Sequence, residues 1–348
     1  MTVGVVLLNL GGPDSLRAIR PFLYNLFSDR RIIPLGFPFM QKPLAKLIST
    51  IRSRKTAKMY RLIGGRSPIT EITIAQAQAL EKALNTHSAP LADGGNKRGA
   101  VSFRIYIGMR YWHPFIEDVV QEIYGSGIKK LVALSLYPQY SAATSGSSFS
   151  RLKEVTSRYG METCSITSWH DHPLYIDALV DIIKKGIGSF SSPQPDSVPQ
   201  SSLTPHPSSF NNIHVLFSAH GLPESIIEQG DPYVDQTFET IKEITKHIPL
   251  KWHLSYQSRS GPVKWLGPST DEKLKELAAG GVKDILVVPI SFVSDHIETL
   301  YEIDILYKNL AEKLGMKLKR TESLNTHPKF IEALKDLVES ALTNMVPE

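Results

Sequence analysis

The sequence predicts an α/β protein of two similar lobes, each a parallel sheet flanked by helices, arranged around one cleft. Three observations carry that expectation. Strand-like apolar runs alternate with helical patterns almost throughout. Apolar strands that alternate with helices argue for parallel sheets covered on both faces. The first half of the chain also resembles the second: VGVVLLNLGGPDS matches IHVLFSAHGLPES, pairing Leu10 with His220, Gly11 with Gly221 and Pro13 with Pro223. GIKKLVALSLYP, from Gly127, likewise matches GVKDILVVPISF, from Gly281. The spacing is far too long for a solenoid and suits two doubly wound lobes instead.

Val3–Leu10 reads as the first strand, closed by Gly11-Gly12-Pro13, with Asp14 or Ser15 placed to cap a helix. Arg104–Gly108, Lys130–Leu136 and Thr163–Ser168 continue this series. Ile213–Ala219, Lys251–Gln257, Asp284–Phe292 and Met316–Arg320 form the second. Helical patterns fall at Phe115–Tyr124, Tyr175–Lys185, Val234–His247, Glu272–Ala278, His296–Leu314 and Pro328–Leu342. The expected division is a first lobe over 1–155, a second over 156–325, and a closing helix over 326–348 that packs back on the first. Ser191–Asn212 is rich in Ser and Pro, too polar to bury a core, and reads as a surface insertion without catalytic part. Ligands of such sheets bind beyond the carboxyl ends of the strands. That rule gathers Leu10, Arg110, Tyr137, His220, Gln257 and Phe292 around the cleft.

At 348 residues and 42% hydrophobic, the chain can bury a large core. No apolar run approaches the ~20 residues of a membrane span. Met1 leads into a strand without a basic region or a cleavage site, so a cytoplasmic protein is expected. Cys164 is the one cysteine, which excludes an internal disulfide and a cluster held by four thiolates of this chain. In its short strand it reads as a small buried residue, and any metal falls to His, Asp or Glu.

The net charge is +5, but ten Lys and Arg and no acid lie between Arg30 and Arg66. Phe22, Phe27, Phe37 and Phe39 crowd the same region without any nucleic-acid motif. A basic and apolar surface suits an anionic membrane or an amphipathic dianion. The alternative is a solvated face beside the lobe's own core residues. Pro34, Pro38 and Pro43 are expected to break this region into short pieces.

The sharpest chemistry lies in SFVSDHIETLYE, from Ser291 to Glu302. It follows a strongly apolar strand and opens a helix with Ser294 or Asp295 as cap. On an α-helix Asp295, Glu298 and Glu302 would share one stripe at i, i+3 and i+7. Like charges so placed repel, which suits a path for a divalent cation or for protons better than a structural face. His220 ends another apolar strand just before Gly221, where a ligand or backbone can approach closely. Its near-neutral pKa fits a base or a metal ligand. The chain lacks a GxSxG elbow, a complete GxGxxG and a P-loop, so nucleophile and nucleotide readings fail.

Taken together, FSAHGLPES, GDPY, YQSRSGPVKWLGP and ISFVSDHIETLYEID resemble the ferrochelatase family, as do LNLGGPDS, YRLIGGRSPI, GMRYWHP and LYPQYSAATSGSS. These segments run in family order from Asn9 to Asp304. The resemblance implies two Rossmann-like, chelatase-type lobes and an enzyme that inserts Fe²⁺ into protoporphyrin IX, releasing two protons, as the last step of heme formation. It implies His220 as the metal-facing histidine and Glu298 as the carboxylate across the porphyrin, supported by Asp295, His296 and Glu302. Leu10, Ser67, Arg110, Tyr111, Tyr140, Trp265 and Phe292 would bind the porphyrin. No permanently bound cofactor is implied, iron being substrate.

Two departures stand out. Leu306 occupies a position that is often acidic in the family, which puts an outer metal site in doubt. Leu10 lies where the coproporphyrin branch carries a tyrosine, which favours protoporphyrin. A coproporphyrin enzyme, a chelatase for cobalt or nickel tetrapyrroles, and a two-lobed heme- or metal-binding protein without catalysis are the alternatives. Peripheral association with an anionic membrane is expected, and no nucleic-acid partner.

Overall fold

The computed structural model describes residues 2–33, 35–86, 101–191, 212–259 and 263–345. The chain divides into two compact units, Met1–Trp169 with Asn325–Glu348, and His170–Leu324.

The first unit opens with β1 (Thr2–Asn9), followed by α1 (Ile19–Ser28), α2 (Gln41–Leu62) and α3 (Ile69–Thr86). β2 (Ser102–Met109), α4 (Ile116–Gly125), β3 (Lys130–Ser135), a π-helix (Ala142–Gly146), α5 (Ser147–Thr156) and β4 (Glu162–Ile166) complete its run. The four strands are parallel, in the order β2-β1-β3-β4. Val6, Leu8, Leu131 and Ala133 project from the sheet onto Ile116, Val120 and Ile123 of α4 and Leu152 and Val155 of α5, all buried. Because β4 pairs with β3, the unit runs to Trp169 rather than ending near 155. Cys164 on this edge strand is half-buried rather than buried. Pro43 does not break α2: it stands in the first turn, where its missing N–H has no helical partner to lose.

The second unit holds α6 (Pro173–Ser191), β5 (Ile213–His220), α7 (Glu224–Glu228), α8 (Tyr233–His247), β6 (Lys251–Gln257), α9 (Thr270–Ala279) and β7 (Asp284–Pro289). A ten-residue π-helix (Glu298–Tyr307), α10 (Lys308–Lys313) and β8 (Lys317–Arg320) follow. The strands are again parallel, in the order β6-β5-β7-β8. Both sheets thus have the same topology, with the first strand of each beside the second and the third. That identity accounts for the internal repeat, since Leu10 follows the end of β1 where His220 ends β5. α9 starts at a full capping box: Ser269 accepts from the Glu272 N–H, and Glu272 accepts from that of Ser269.

The closing helix, α11 (Pro328–Met345), belongs to the first unit, where the Phe330 ring stacks on Trp169 at 5.9 Å. Among the described residues no helix is long and apolar enough to cross a membrane. Most of the Ser/Pro-rich stretch expected to be an insertion, 192–211, lies outside the described residues.

Candidate active site

In the second unit the carboxyl ends of β5 and β6 meet the start of the long π-helix. His220 Nδ1 lies 2.8 Å from Glu298 Oε2. The strand end that carries His220 is held from two sides. Its N–H donates to Ser291 Oγ at 3.1 Å, and its carbonyl accepts from the Tyr233 hydroxyl at 2.9 Å. Tyr233 and Ser291 in turn bond each other at 2.6 Å. Gly221 is required for this packing, since its N–H donates to the Gln257 carbonyl and a Cβ there would sit 2.8 Å from that oxygen.

Glu298 and Glu302 face the same partners. The Ser258 hydroxyl lies 2.9 Å from Glu298 Oε2 and 2.6 Å from Glu302 Oε2. Ser258 holds this place in the left-handed region, φ 66°, a conformation that costs a non-glycine residue on the order of 1–3 kcal/mol. Gln257 Nε2 also reaches both carboxylates, at 3.5 and 3.4 Å, and its Oε1 accepts from Ser218 at 2.6 Å.

Asp295, expected on the same acidic stripe, is not part of it. It sits ahead of the helix and accepts from Thr299 at 3.0 Å and Ser323 at 2.8 Å, beside the Arg320 guanidinium at 3.0 Å. Neither Ser294 nor Asp295 is the cap; the residue before the helix is Ile297, without a side-chain cap. The helix itself begins only at Glu298 and has π winding, wider than the about 3.6 residues of an α-turn. Every fourth residue then repeats a face: Thr299, Ile303 and Tyr307 are buried, while Glu298, Glu302 and Leu306 form the next row. Leu306 ends that row half exposed.

The electrostatics follow from this crowding. Burial opposes protonation of His220, but the Glu298 charge, its hydrogen bond and the Glu302 charge outweigh it and raise the imidazole pKa. Burial would raise Glu298, yet His220, His296 and Ser258 hold it below the usual carboxylate range. Glu302 goes the other way, pushed up to about 7 by burial and then by the charge of Glu298. His296 is buried and kept neutral by that burial. Its Nδ1 bonds the Ser294 carbonyl at 3.0 Å, and its Nε2 finds no hydrogen-bond partner among the described residues. Phe292 packs its ring against both histidines, 5.9 Å from His220 and 4.2 Å from His296. Trp265 pairs with Pro223 in an antiparallel bridge just beyond β5.

Among the described residues, the first unit carries no such pair at its strand ends. Arg110 follows β2 and donates to Asp29 Oδ2 at 2.5 Å and to Ser147 Oγ at 3.0 Å. The buried Tyr111 hydroxyl donates to the same Asp29 oxygen at 2.8 Å. Burial of Asp29 is outweighed by Arg110 and these donors, so its pKa is lowered. Leu10 is half-buried and its carbonyl accepts from the Tyr111 N–H at 3.0 Å. Ser67 is buried against Gly12, where a Cβ would meet it at 2.5 Å. Tyr140 is half-buried over the short π-helix, near Gly146.

Within their own units the structure therefore joins His220, Glu298, Glu302, His296 and Phe292, and separately Leu10, Arg110 and Tyr111. Sequence reasoning missed Ser258, Tyr233, Ser291, Asp29 and Ser147. The strand-end rule that singled out Gln257 could have reached Ser258, its neighbour. Asp29 had a weaker signal, as the acid just ahead of a long run free of acids.

A family model, Ferrochelatase, matches residues 2–342. Ferrochelatase from Gloeothece citriformis is 48% identical over 98% of this chain and 83% of its own length. Ferrochelatase from Desulfotalea psychrophila is 47% identical over 98% of both. Among solved structures, SirB from Bacillus subtilis with Fe³⁺ aligns with TM-score 0.54 at 12% identity, covering 99% of this chain and 97% of SirB. At that identity the likeness speaks for the two-lobed α/β fold alone. On the family match and these relatives, the chain belongs to the ferrochelatase family, whose enzymes insert iron into a porphyrin.

Proposed function

We propose that the porphyrin is protoporphyrin IX and that His220 and Glu298 are the groups that handle the iron and the pyrrole protons. The observation that carries the reading is the 2.8 Å His220–Glu298 contact at the carboxyl end of β5, backed by Glu302. Insertion exchanges two pyrrole protons for one Fe²⁺. A neutral imidazole suits Fe²⁺ and can also accept a proton, and the carboxylates beside it can take up what it releases. The chain itself contributes orientation: Tyr233 and Ser291 hold the strand end, and Ser258 and Gln257 hold both carboxylates. Phe292 and Trp265 would wall the ring on the His220 side, and a porphyrin held out of plane would aim its lone pairs at the metal. In the first unit Arg110, Tyr111, Leu10, Ser67 and Tyr140 would contact the macrocycle or its propionates. No resident cofactor is assigned, and one cysteine cannot ligate a four-thiolate cluster.

We also infer reversible binding to anionic membranes through the segment around α2. Phe37 and Phe39 are 69% and 78% exposed and stacked at 5.9 Å, next to exposed Met40, Leu47 and Ile51. Lys42, Lys46, Arg54, Lys55 and Lys58 are exposed along the same helix. This exposure favours a lipid-facing surface over the reading in which these side chains cover the unit's own core. Vesicle sedimentation tests it: binding should need anionic lipid, weaken with salt, and drop in Phe37→Ser/Phe39→Ser. Equal recovery with and without anionic vesicles would remove the membrane from the picture.

The substrate is tested by anaerobic assay of the purified protein with protoporphyrin IX or coproporphyrin and Fe²⁺, Co²⁺ or Ni²⁺. Faster turnover with coproporphyrin would reverse the choice read from Leu10. Metal or heme binding without turnover would favour a carrier.

A further inference from the structure

A ten-residue π-helix needs external support. Such winding is rare and is otherwise found mostly as single turns within α-helices. The same residues could relax to α winding, which keeps Glu298 and Glu302 on one face but turns Glu302 relative to Glu298 and so away from the Ser258 and Gln257 partners they share. One residue ties this segment down at two points. Arg320, at the end of β8, donates through Nε to Asp304 Oδ1 at 2.9 Å and through Nη2 to Asp304 Oδ2 at 2.8 Å. Its Nη1 reaches Asp295 Oδ1 at 3.0 Å and the Thr321 carbonyl at 3.1 Å. Asp304 stands inside the π-helix and Asp295 just ahead of it, so one guanidinium holds both ends of the stretch that carries Glu298 and Glu302. Ser323 closes the ring by donating to Asp295 at 2.8 Å. The Arg320 side chain is 10% exposed, and Asp295 is partly buried beside it while Asp304 reaches the surface.

We propose that Arg320 is a positioning residue for iron insertion: its fork across Asp295 and Asp304 keeps residues 298–307 in π geometry and so keeps Glu298 and Glu302 aimed at the same partners. The inference rests on the reading that Glu298 acts in the reaction. It assigns Arg320 no contact with porphyrin or iron.

Arg320→Lys keeps the charge and loses the planar fork. Its kcat for iron insertion should fall at least ~10-fold while the KM for porphyrin stays within about 3-fold, the pattern of a lost transition-state arrangement. Amide hydrogen exchange should rise in 298–307 and remain at the wild-type rate in β5, β6 and β7. Asp304→Asn removes one arm of the clamp and should show both effects at smaller size. If Arg320→Lys does not fold, Asp304→Asn decides on the same two readouts. A kcat within about 2-fold of wild type, or unchanged exchange in 298–307, overturns the proposal. Exchange that rises equally across the whole second unit overturns it as well, because Arg320 would then be an ordinary structural residue. Glu298→Gln run in parallel separates the two ideas. If that variant retains turnover, the site reading fails, whereas the exchange data still report on the clamp.

Discussion

The two units share strand order, strand direction and even a π-helix after the third strand, yet their strand ends carry different chemistry. At the end of β1 stand Asn9 and Leu10; at the matching place β5 ends in His220. After β3 the π-helix is five residues long and reads AATSG, without a carboxylate. After β7 it is ten residues long and carries Glu298 and Glu302. The first unit uses its ion pair to fix an arginine, with Asp29 neutralising Arg110 and Tyr111 fastened to the same oxygen. The second places two acids beside a histidine so that the three bias one another's protonation. One fold thus carries a neutralised arginine at the strand ends of one copy and a group of interacting titratable side chains in the other. The backbone decides where side chains can act, and the residues decide what they do.

The largest break in this comparison should come from His220→Ala. Losing a group that accepts protons or presents metal should lower iron insertion by at least ~100-fold with the protein still folded, as judged by its melting curve. Leu10→Ala at the matching position should act on KM for porphyrin and leave kcat within about 3-fold. An active His220→Ala enzyme would remove the histidine from the mechanism.

Glu298→Gln should approach the His220→Ala loss, because the amide keeps the shape without the charge. Glu302→Gln should be milder, since Glu302 acts on His220 by charge from farther away. If Glu302→Gln were the more damaging variant in steady-state assays, the inner carboxylate would be misassigned.

A smaller effect sharpens the electrostatic half of the comparison. The His220 pKa is raised above its ordinary value of about 6.5. The imidazole is therefore protonated below that raised value and free above it, and kcat/KM should increase as pH rises through it. Glu302→Gln removes one of the charges that raise it, so the acid limb should move to lower pH. A limb that stays in place, or moves up, would show that His220 does not set it.

The smallest expected effect lies in the first unit. Arg110→Lys replaces the two guanidinium nitrogens that contact Asp29 and Ser147 with a single, shorter-reaching ammonium. Porphyrin KM should rise by roughly 3- to 10-fold with kcat little changed. A kcat loss as large as that of Glu298→Gln would place Arg110 in the chemistry and erase the contrast between the units.

Much of this was legible in the chain. All eight strands were placed from the chain. The central β1, β3, β5 and β7 are near-continuous apolar runs, because a strand buried on both faces leaves a dense local signature. The edge strands β2, β4, β6 and β8 are partly exposed and their signal is weaker. The repeat showed that His220 ends a strand, and the motifs around it named the family. Other features depended on contacts between distant residues. Asp295 looked equivalent to Glu298 on α spacing, but it lies ahead of the helix, where Arg320, 25 residues later, holds it. Ser258 gave no sign of its left-handed backbone or of bridging two acids. Asp29 reached Arg110 and Tyr111 only once the sheet had brought them together. The order of elements and the apolar faces of the central strands could be read from the chain, since these follow from local pattern. Helix winding, carboxylate partners and pKa shifts could not, because each depends on burial and on charges brought close by residues far apart in the chain.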